Sequence, residues 1–211
     1  MLLTIVDYGV GNLRSIAKSI EKANSDKNLN YSVKVSSDIN DVKKSDKIVL
    51  PGQGSFKACK AGIDNIKGLQ TELNESVLIK KKPIYGICAG MQLFATRGHE
   101  ERITQGLNWI PGEVNKLDLG ESKLKIPHMG WNELKIKNSS KVFQDINKND
   151  HAYFIHSYEF IPEDKTVISL TSNYGKEVMA AVSLENIFGS QFHPEKSQIT
   201  GIKILTNFLN L

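Results

Sequence analysis

The segment Ile84-Tyr85-Gly86-Ile87-Cys88-Ala89-Gly90-Met91-Gln92 sets a cysteine between two glycines, after an apolar run and before a helical pattern. That G-x-C-x-G spacing is the thiol counterpart of a nucleophile elbow, a sharp strand-to-helix turn that lifts the nucleophile above the sheet. The turn strains the backbone at the nucleophile, and neighbours carrying a Cβ would collide in it. A helix starting directly after the sulfur turns its N–H groups toward any anion formed there. The other cysteine, Cys59 in Phe56-Lys57-Ala58-Cys59, lacks this context and reads as a small buried hydrophobe.

A thiol nucleophile needs a base to take its proton and return one to the leaving group, and histidine suits neutral pH. Gln191-Phe192-His193-Pro194-Glu195 supplies one at the end of an apolar run. Pro194 stiffens the link, and Glu195 is close enough to hold the ring nitrogen facing away from the sulfur. A third piece is Leu50-Pro51-Gly52-Gln53-Gly54, a loop at the end of another expected strand. Acyl transfer places negative charge on the carbonyl oxygen, and a glycine-flanked peptide can turn its N–H toward it without steric cost. The backbone N–H groups of Gln53 and Ala89 are therefore the expected oxyanion donors.

These loops need a scaffold, and the pattern of the first hundred residues provides one. Leu2–Val6, a short apolar run, and Tyr31–Ser36, Lys47–Leu50 and Pro83–Ile87 read as strands. Helical spacing between them (Leu13, Ile16, Ala17 and Ile20; then 70–81 and Ala89–Thr96) implies right-handed crossovers and a parallel sheet covered on both faces. From about Ile110 the texture changes. Val114–Leu117, Glu133–Ile136, Ala152–Phe160, Thr166–Thr171, Met179–Leu184 and Ile187–Phe192 read as strands with short polar links, and Ile202–Leu209 as a closing helix. The expected class is α/β: a mostly parallel central sheet flanked by helices, with an antiparallel extension in the second half. No linker or internal repeat divides the chain, so 1–211 is expected to be one domain.

Composition narrows the function. The 211 residues carry 27 Lys+Arg against 23 Asp+Glu, and the only arginines are Arg14, Arg97 and Arg102. Arginine does most bidentate reading of bases and phosphates, which argues against a nucleic-acid partner. Lys80–Lys82 reads as a solvated helix end before Pro83. Asp7 cuts the N-terminal apolar run short of a signal segment, and no apolar stretch is long enough to cross a bilayer, so a cytoplasmic protein with no membrane partner is expected. The two cysteines lie 29 apart outside any CxxC pair, which suits neither zinc nor a disulfide framework. Neither a metal nor a cofactor is expected.

Taken in order, PGQG, GICAGMQ and QFHPEKS resemble the class I glutamine amidotransferases, whose fold is flavodoxin-like. More narrowly, Asp7–Leu13 (DYGVGNL), Pro127–Asn132 (PHMGWN) and Tyr153–Tyr158 (YFIHSY) resemble the glutaminase subunits of imidazole glycerol phosphate synthases, and Met91 in the elbow is typical of that branch. The similarity runs from Asp7 to the terminal helix. It implies a Cys88–His193–Glu195 triad that releases ammonia from L-glutamine. It also implies glutamine binding by Gly52, Gln92, Ser157 and Tyr158, and a (β/α)8-barrel synthase partner that makes imidazole glycerol phosphate and AICAR in histidine biosynthesis. Trp131, Tyr153 and Lys196 match positions facing that partner along the ammonia path, although Trp131 and Tyr153 would also suit a core, as would His156. Gln53 stands where the family usually has valine, and Ala89 where it often has leucine. Both contribute mainly backbone N–H groups, so neither change removes a catalytic group. Two other readings share these motifs: a paralogous glutaminase feeding a different synthase, for instance one that amidates a surface sugar, and a cysteine hydrolase or chaperone of the related elbow class. The PGQG loop and the H-P-E element oppose the second, and an intact triad opposes a degenerate binding subunit.

Overall fold

Alternate residues of the first strands go to opposite faces, and two cores form on either side of the sheet they build. The computed structural model describes residues 1–147 and 149–211. Its first part runs β1 (Leu2–Val6), α1 (Leu13–Asp26), β2 (Ser32–Ser36), α2 (Ile39–Lys44), β3 (Lys47–Leu50), α3 (Phe56–Asn65), α4 (Leu69–Asn74), β4 (Ile84–Ile87) and α5 (Ala89–Gln92). Ile48, Leu50 and Ile84 join Phe56, Ile63, Leu69 and Leu73 of α3 and α4 on one face. Val49, Tyr85 and Ile87 join Ile16, Ile20, Leu205 and Phe208 on the other. This is the strand period of two meeting helices that bury one stripe each. Burying each such side chain contributes about 1.5–3 kcal/mol.

The remainder is mostly strand: β5 (Arg97–Gly98), β6 (Thr104–Gln105), β7 (Gly112–Lys116), β8 (His128–Glu133), β9 (Lys135–Ile136), β10 (His151–His156), β11 (Tyr158–Pro162), β12 (Ile168–Asn173), β13 (Glu177–Leu184) and β14 (Ile187–Ser190), closed by α6 (Gln198–Leu209). The main sheet has the order β2-β1-β3-β4-β14-β13-β12-β9. Its pairs are parallel from β2 to β14 and antiparallel from β14 to β9. The expected α/β class with an antiparallel extension is what the chain adopts. A separate ribbon pairs β8 with β10, and a small sheet is ordered β11-β7-β5-β6.

Several expected elements are divided by tertiary contacts. The helix expected over 70–81 is α4 followed by a π-helical turn, Glu75–Ile79. The helix expected over Ala89–Thr96 stops at Gln92, because later carbonyls are taken from outside it: Leu107 donates to Leu93 O, and Trp109 and Ile110 both donate to Phe94 O. The single strand expected over Ala152–Phe160 breaks at Ser157 into β10 and β11, which pair with different sheets. The Glu133–Ile136 run divides at buried Leu134, whose N–H donates to Asp150 O. Helices α2 and α3 lie outside the expected set, although each has an N-cap signal: Asp38 accepts from Asn40 N and Ser55 from Ala58 N. No described helix is long and apolar enough to cross a membrane.

Candidate active site

Three loops follow β3, β4 and β14, adjacent parallel strands of one sheet, so they converge at its carboxyl edge, where α/β sheets bind ligands. Cys88 sits on the middle loop at φ 53° and ψ −116°, outside the comfortable region for a side chain with a Cβ. It is pinned there by donation from its N–H to Ser190 O (2.8 Å) and by Gln92 N–H donating to its carbonyl (3.1 Å). A Cβ on Gly86 would stand 2.6 Å from Met91 Cα, and one on Gly90 would run into Leu50 O. Gly52 closes the arrangement: its Cβ would overlap the Ala89–Gly90 peptide, so the Pro51–Gly54 loop and the elbow meet backbone to backbone.

His193 is buried, and its Nδ1 lies 2.8 Å from Glu195 Oε1. A carboxylate accepts, so Nδ1 carries the proton and Nε2 is left for the nucleophile side. Its backbone is clamped by His193 N–H donating to Tyr153 O (3.0 Å) and Ser197 Oγ donating to His193 O (2.7 Å). Burial pushes the imidazole pKa down, but its interactions with Cys88 and then Glu195 outweigh that and raise it to about 10. The ring therefore holds a proton beside the sulfur, ready to give to a leaving group.

Cys88 and His193 line one cavity of about 300 Å³, shared with Gln53, Ala89, Gln92, Ser157, Tyr158 and Lys196. Gly52 lies buried behind the loop, while Trp131 and Tyr153 sit outside on the ribbon. Trp131 is 49% exposed and meets its cross-strand partner Tyr153 edge-on, with the Lys196 ammonium 5.6 Å above the tyrosine ring. Core packing is therefore not their role. Together with exposed Met129 and Ile155 they make the outward face of the ribbon apolar, beside the cavity mouth. Glu100, Pro127, Ile155 and His156 also line the cavity. No motif flagged Glu100, whose Oε2 accepts the N–H of Phe56 at the start of α3.

Cys59 is buried but does more than fill space. Its Sγ lies 3.7 Å from Gln53 O, and Tyr8 Oη donates to Pro51 O, so the loop's carbonyls are tethered on both sides of Gly52. Burial pushes the Cys59 thiol up to about 11.

The inner face of the ribbon holds a directional chain. His156 Nδ1 lies 2.9 Å from Tyr158 O, a group that only accepts, so Nδ1 donates and Nε2 is the bare nitrogen. His128 Nδ1 must then donate to His156 Nε2 (3.0 Å), leaving His128 Nε2 to accept from Asn132 Nδ2 (3.2 Å). Both imidazoles must be neutral for the chain to hold. Burial lowers each pKa to about 4; the charge of His156 adds to this for His128, and for His156 the bond to Tyr158 pulls back while His193 pushes further down. Between about pH 6.5 and 4 the unfolded chain binds protons that the folded one refuses, so this contribution is complete above 6.5 and lost as pH falls through the window. At roughly 1.4 kcal/mol per unit, one such histidine is worth on the order of 3 kcal/mol. Urea midpoints measured at about pH 7 and pH 5 should fall less in a His128→Phe, His156→Leu double variant than in the parent chain. An equal fall in both would remove the neutral pair.

A cysteine on a strained elbow, an imidazole tied to a buried carboxylate and a touching glycine loop are the parts a thiol-dependent hydrolase needs, gathered at one edge of an α/β sheet. The family model described as glutamine amidotransferase class-I matches residues 4–211, and the chain belongs to that family. Its relatives include the imidazole glycerol phosphate synthase subunit HisH of Pelagibacter ubique (strain HTCC1062), 51% identical over 100% of both chains. The HisH protein of the same description from Brucella suis biovar 1 is 42% identical over 99% of this chain and 98% of its own. Among solved structures, a glutamine amidotransferase superposes with a TM-score of 0.72 at 15% identity, covering 99% of each chain. The structure of PurLQS from Thermotoga maritima gives 0.69 at 18%, covering 99% of this chain and 97% of that one.

Proposed function

We propose that this chain is the glutaminase subunit of an imidazole glycerol phosphate synthase, hydrolysing L-glutamine to L-glutamate and ammonia for a synthase partner in histidine biosynthesis. The full-length identity of 51% to a HisH subunit supports the choice of pathway. The observation that carries the chemistry is Cys88 at φ 53° sharing a cavity with a His193 whose far nitrogen is bound by Glu195.

In this reading the Cys88 sulfur attacks the side-chain amide carbon of glutamine. The carbonyl oxygen, now negative, is met by the N–H groups of Gln53 and Ala89. His193 passes its proton to the departing nitrogen, the C–N bond breaks, and ammonia leaves a glutamyl thioester. Water, losing a proton to His193, attacks that thioester, and collapse releases glutamate and restores the sulfur. Ser157 and Tyr158 border the cavity at the corner between β10 and β11, where they can take the α-amino and α-carboxylate groups. Gln92 has both Nε2 hydrogens committed, to Tyr158 O (2.9 Å) and Gln191 Oε1 (3.0 Å), so only its Oε1 remains for substrate, which suits the α-ammonium.

Ammonia is a nucleophile only while unprotonated, so discharge into water would waste it. The apolar ribbon face with Trp131, Tyr153 and Lys196 lies beside the cavity mouth and fits docking of a (β/α)8-barrel synthase that takes the ammonia inside. The whole chain, 1–211, would act as one glutaminase domain in a cytoplasmic heterodimer.

An electrophilic glutamine analogue tests the site. It should label Cys88, on the cavity wall, and leave Cys59 unmodified, because that thiol is sealed in the core and pushed up to about 11. Peptide mapping that found Cys59 labelled, or both equally, would overturn the assignment.

A further inference from the structure

A side chain outside the Cys88, His193 and Glu195 set also reaches the nucleophile sulfur: Gln191. Its Nε2 lies 3.6 Å from Cys88 Sγ, and the residue is completely buried. Which end of this amide faces the sulfur follows from its neighbours. Tyr158 O can only accept, so the Gln92 group 2.9 Å from it must be Nε2. That same Nε2 stands 3.0 Å from Gln191, so the atom it meets there must be the oxygen. The Gln191 NH2 is then turned onto the sulfur. A main-chain carbonyl at the β10–β11 corner thus sets the polarity of two successive amides and ends on the reacting atom.

We propose that Gln191 is a further catalytic residue, donating an N–H to the Cys88 sulfur and stabilising the negative charge it carries before attack and again when the thioester collapses. Gln92, on the first turn after the nucleophile, is the positioning residue that holds the Gln191 amide in this orientation. The proposal rests on Cys88 being the nucleophile. It adds a donor that needs no substrate to be present, unlike the oxyanion groups, whose partner is the substrate oxygen. A hydrogen bond to a charged acceptor is worth roughly ten- to a hundredfold in an equilibrium.

The test is alkylation of Cys88 in the full chain by iodoacetamide, read by peptide mapping, across pH. Gln191→Met keeps the volume and removes the donor. Its Cys88 should alkylate roughly tenfold or more slowly than the parent at about pH 7.5, and the two rates should converge near pH 10, because a donor that acts by favouring the charged sulfur matters less as base does the same. Gln191→Glu keeps an oxygen for Gln92 but sets a carboxylate against the sulfur, so it should be slower still at pH 7.5. Damage to the fold would expose the buried sulfur and raise the rate at both ends of the range, the opposite of a deficit confined to pH 7.5. Variant rates within twofold of the parent at pH 7.5, or a deficit that persists undiminished at pH 10, would overturn the role of Gln191. Absence of Cys88 labelling in the parent chain would instead overturn the nucleophile itself, so the two failures are distinct.

Discussion

A Cys88→Ala complex should lose glutamine-dependent synthesis, by at least roughly 10⁴-fold, yet still form product when ammonium salts are supplied at a pH where free ammonia is appreciable. The reason lies in what the substitution removes. Alanine deletes one sulfur from a side chain that is 8% exposed, and it leaves the glycines, the Pro51–Gly54 loop and the ribbon face in place. The docking surface should survive, and with it the partner's own chemistry. The measurement is product formed per glutamate released, with glutamine and with ammonium as the nitrogen source. His193→Ala should follow the same pattern. Glu195→Ala should retain more activity, because a carboxylate that orients a base contributes less than the base, although it strands a buried His193 Nδ1–H that now donates to Glu195 Oε1 at 2.8 Å. A Cys88→Ala complex that still consumed glutamine would place the active site elsewhere.

The parts of this site legible in the sequence were those written as contiguous motifs. Gly86, Cys88 and Gly90 announce a turn that only small neighbours allow, and the structure shows the two peptides that any Cβ there would strike. His193 and Glu195 are two residues apart, so their bond needs no knowledge of the fold. The parallel half was legible for a similar reason: its central strands are apolar runs, and its longest helix repeats Ile16, Ile20 and Ala23 on one face.

What could not be read is whatever depends on register between distant strands. His128 and His156 are directly paired across β8 and β10, as are Trp131 and Tyr153. The alternation along each strand shows that these residues fall on two faces. It does not say which face the body of the protein covers, so the exposed pair read equally well as core. Gln191 stood in plain view inside the QFHPE motif, but its partner Gln92 is 99 residues away and the sulfur 103. No spacing rule reaches that far. Cys59 shows the same limit: its burial is legible in the sequence, but its contact with Gln53 O depends on how α3 returns beneath the loop.

The last large effect expected concerns the Pro51–Gly54 loop, where backbone rather than side chain is expected to act. Gly52→Ala would place a Cβ against Gly90 N and Ala89 C, main-chain atoms of the elbow that cannot swing aside as a flexible side chain could. Something must shift, and both expected oxyanion donors, Gln53 N–H and Ala89 N–H, flank the collision. Loss of one such donor costs roughly 10²- to 10³-fold in turnover, about 3–4 kcal/mol, so glutamine hydrolysis should fall at least that far. Two neighbours serve as controls. Gln53→Ala should stay within about threefold of the parent, because the Gln53 side chain is exposed and its N–H is retained. Gly54→Ala meets nothing within 4 Å but holds φ at 94°, so it should pay only for strain, on the order of 1–2 kcal/mol, and fall between the two. Alkylation of Cys88 should persist in Gly52→Ala, since the nucleophile does not depend on the oxyanion donors. The same series should be run with and without the proposed synthase partner. If the Gln53 N–H turns inward only when that partner is bound, the isolated chain should be a weak glutaminase that the partner activates roughly a hundredfold. Gly52→Ala should then bring the partnered rate down to about that of the isolated parent. A Gly52→Ala chain that kept full, partner-stimulated turnover would show that the oxyanion is stabilised by groups other than this loop.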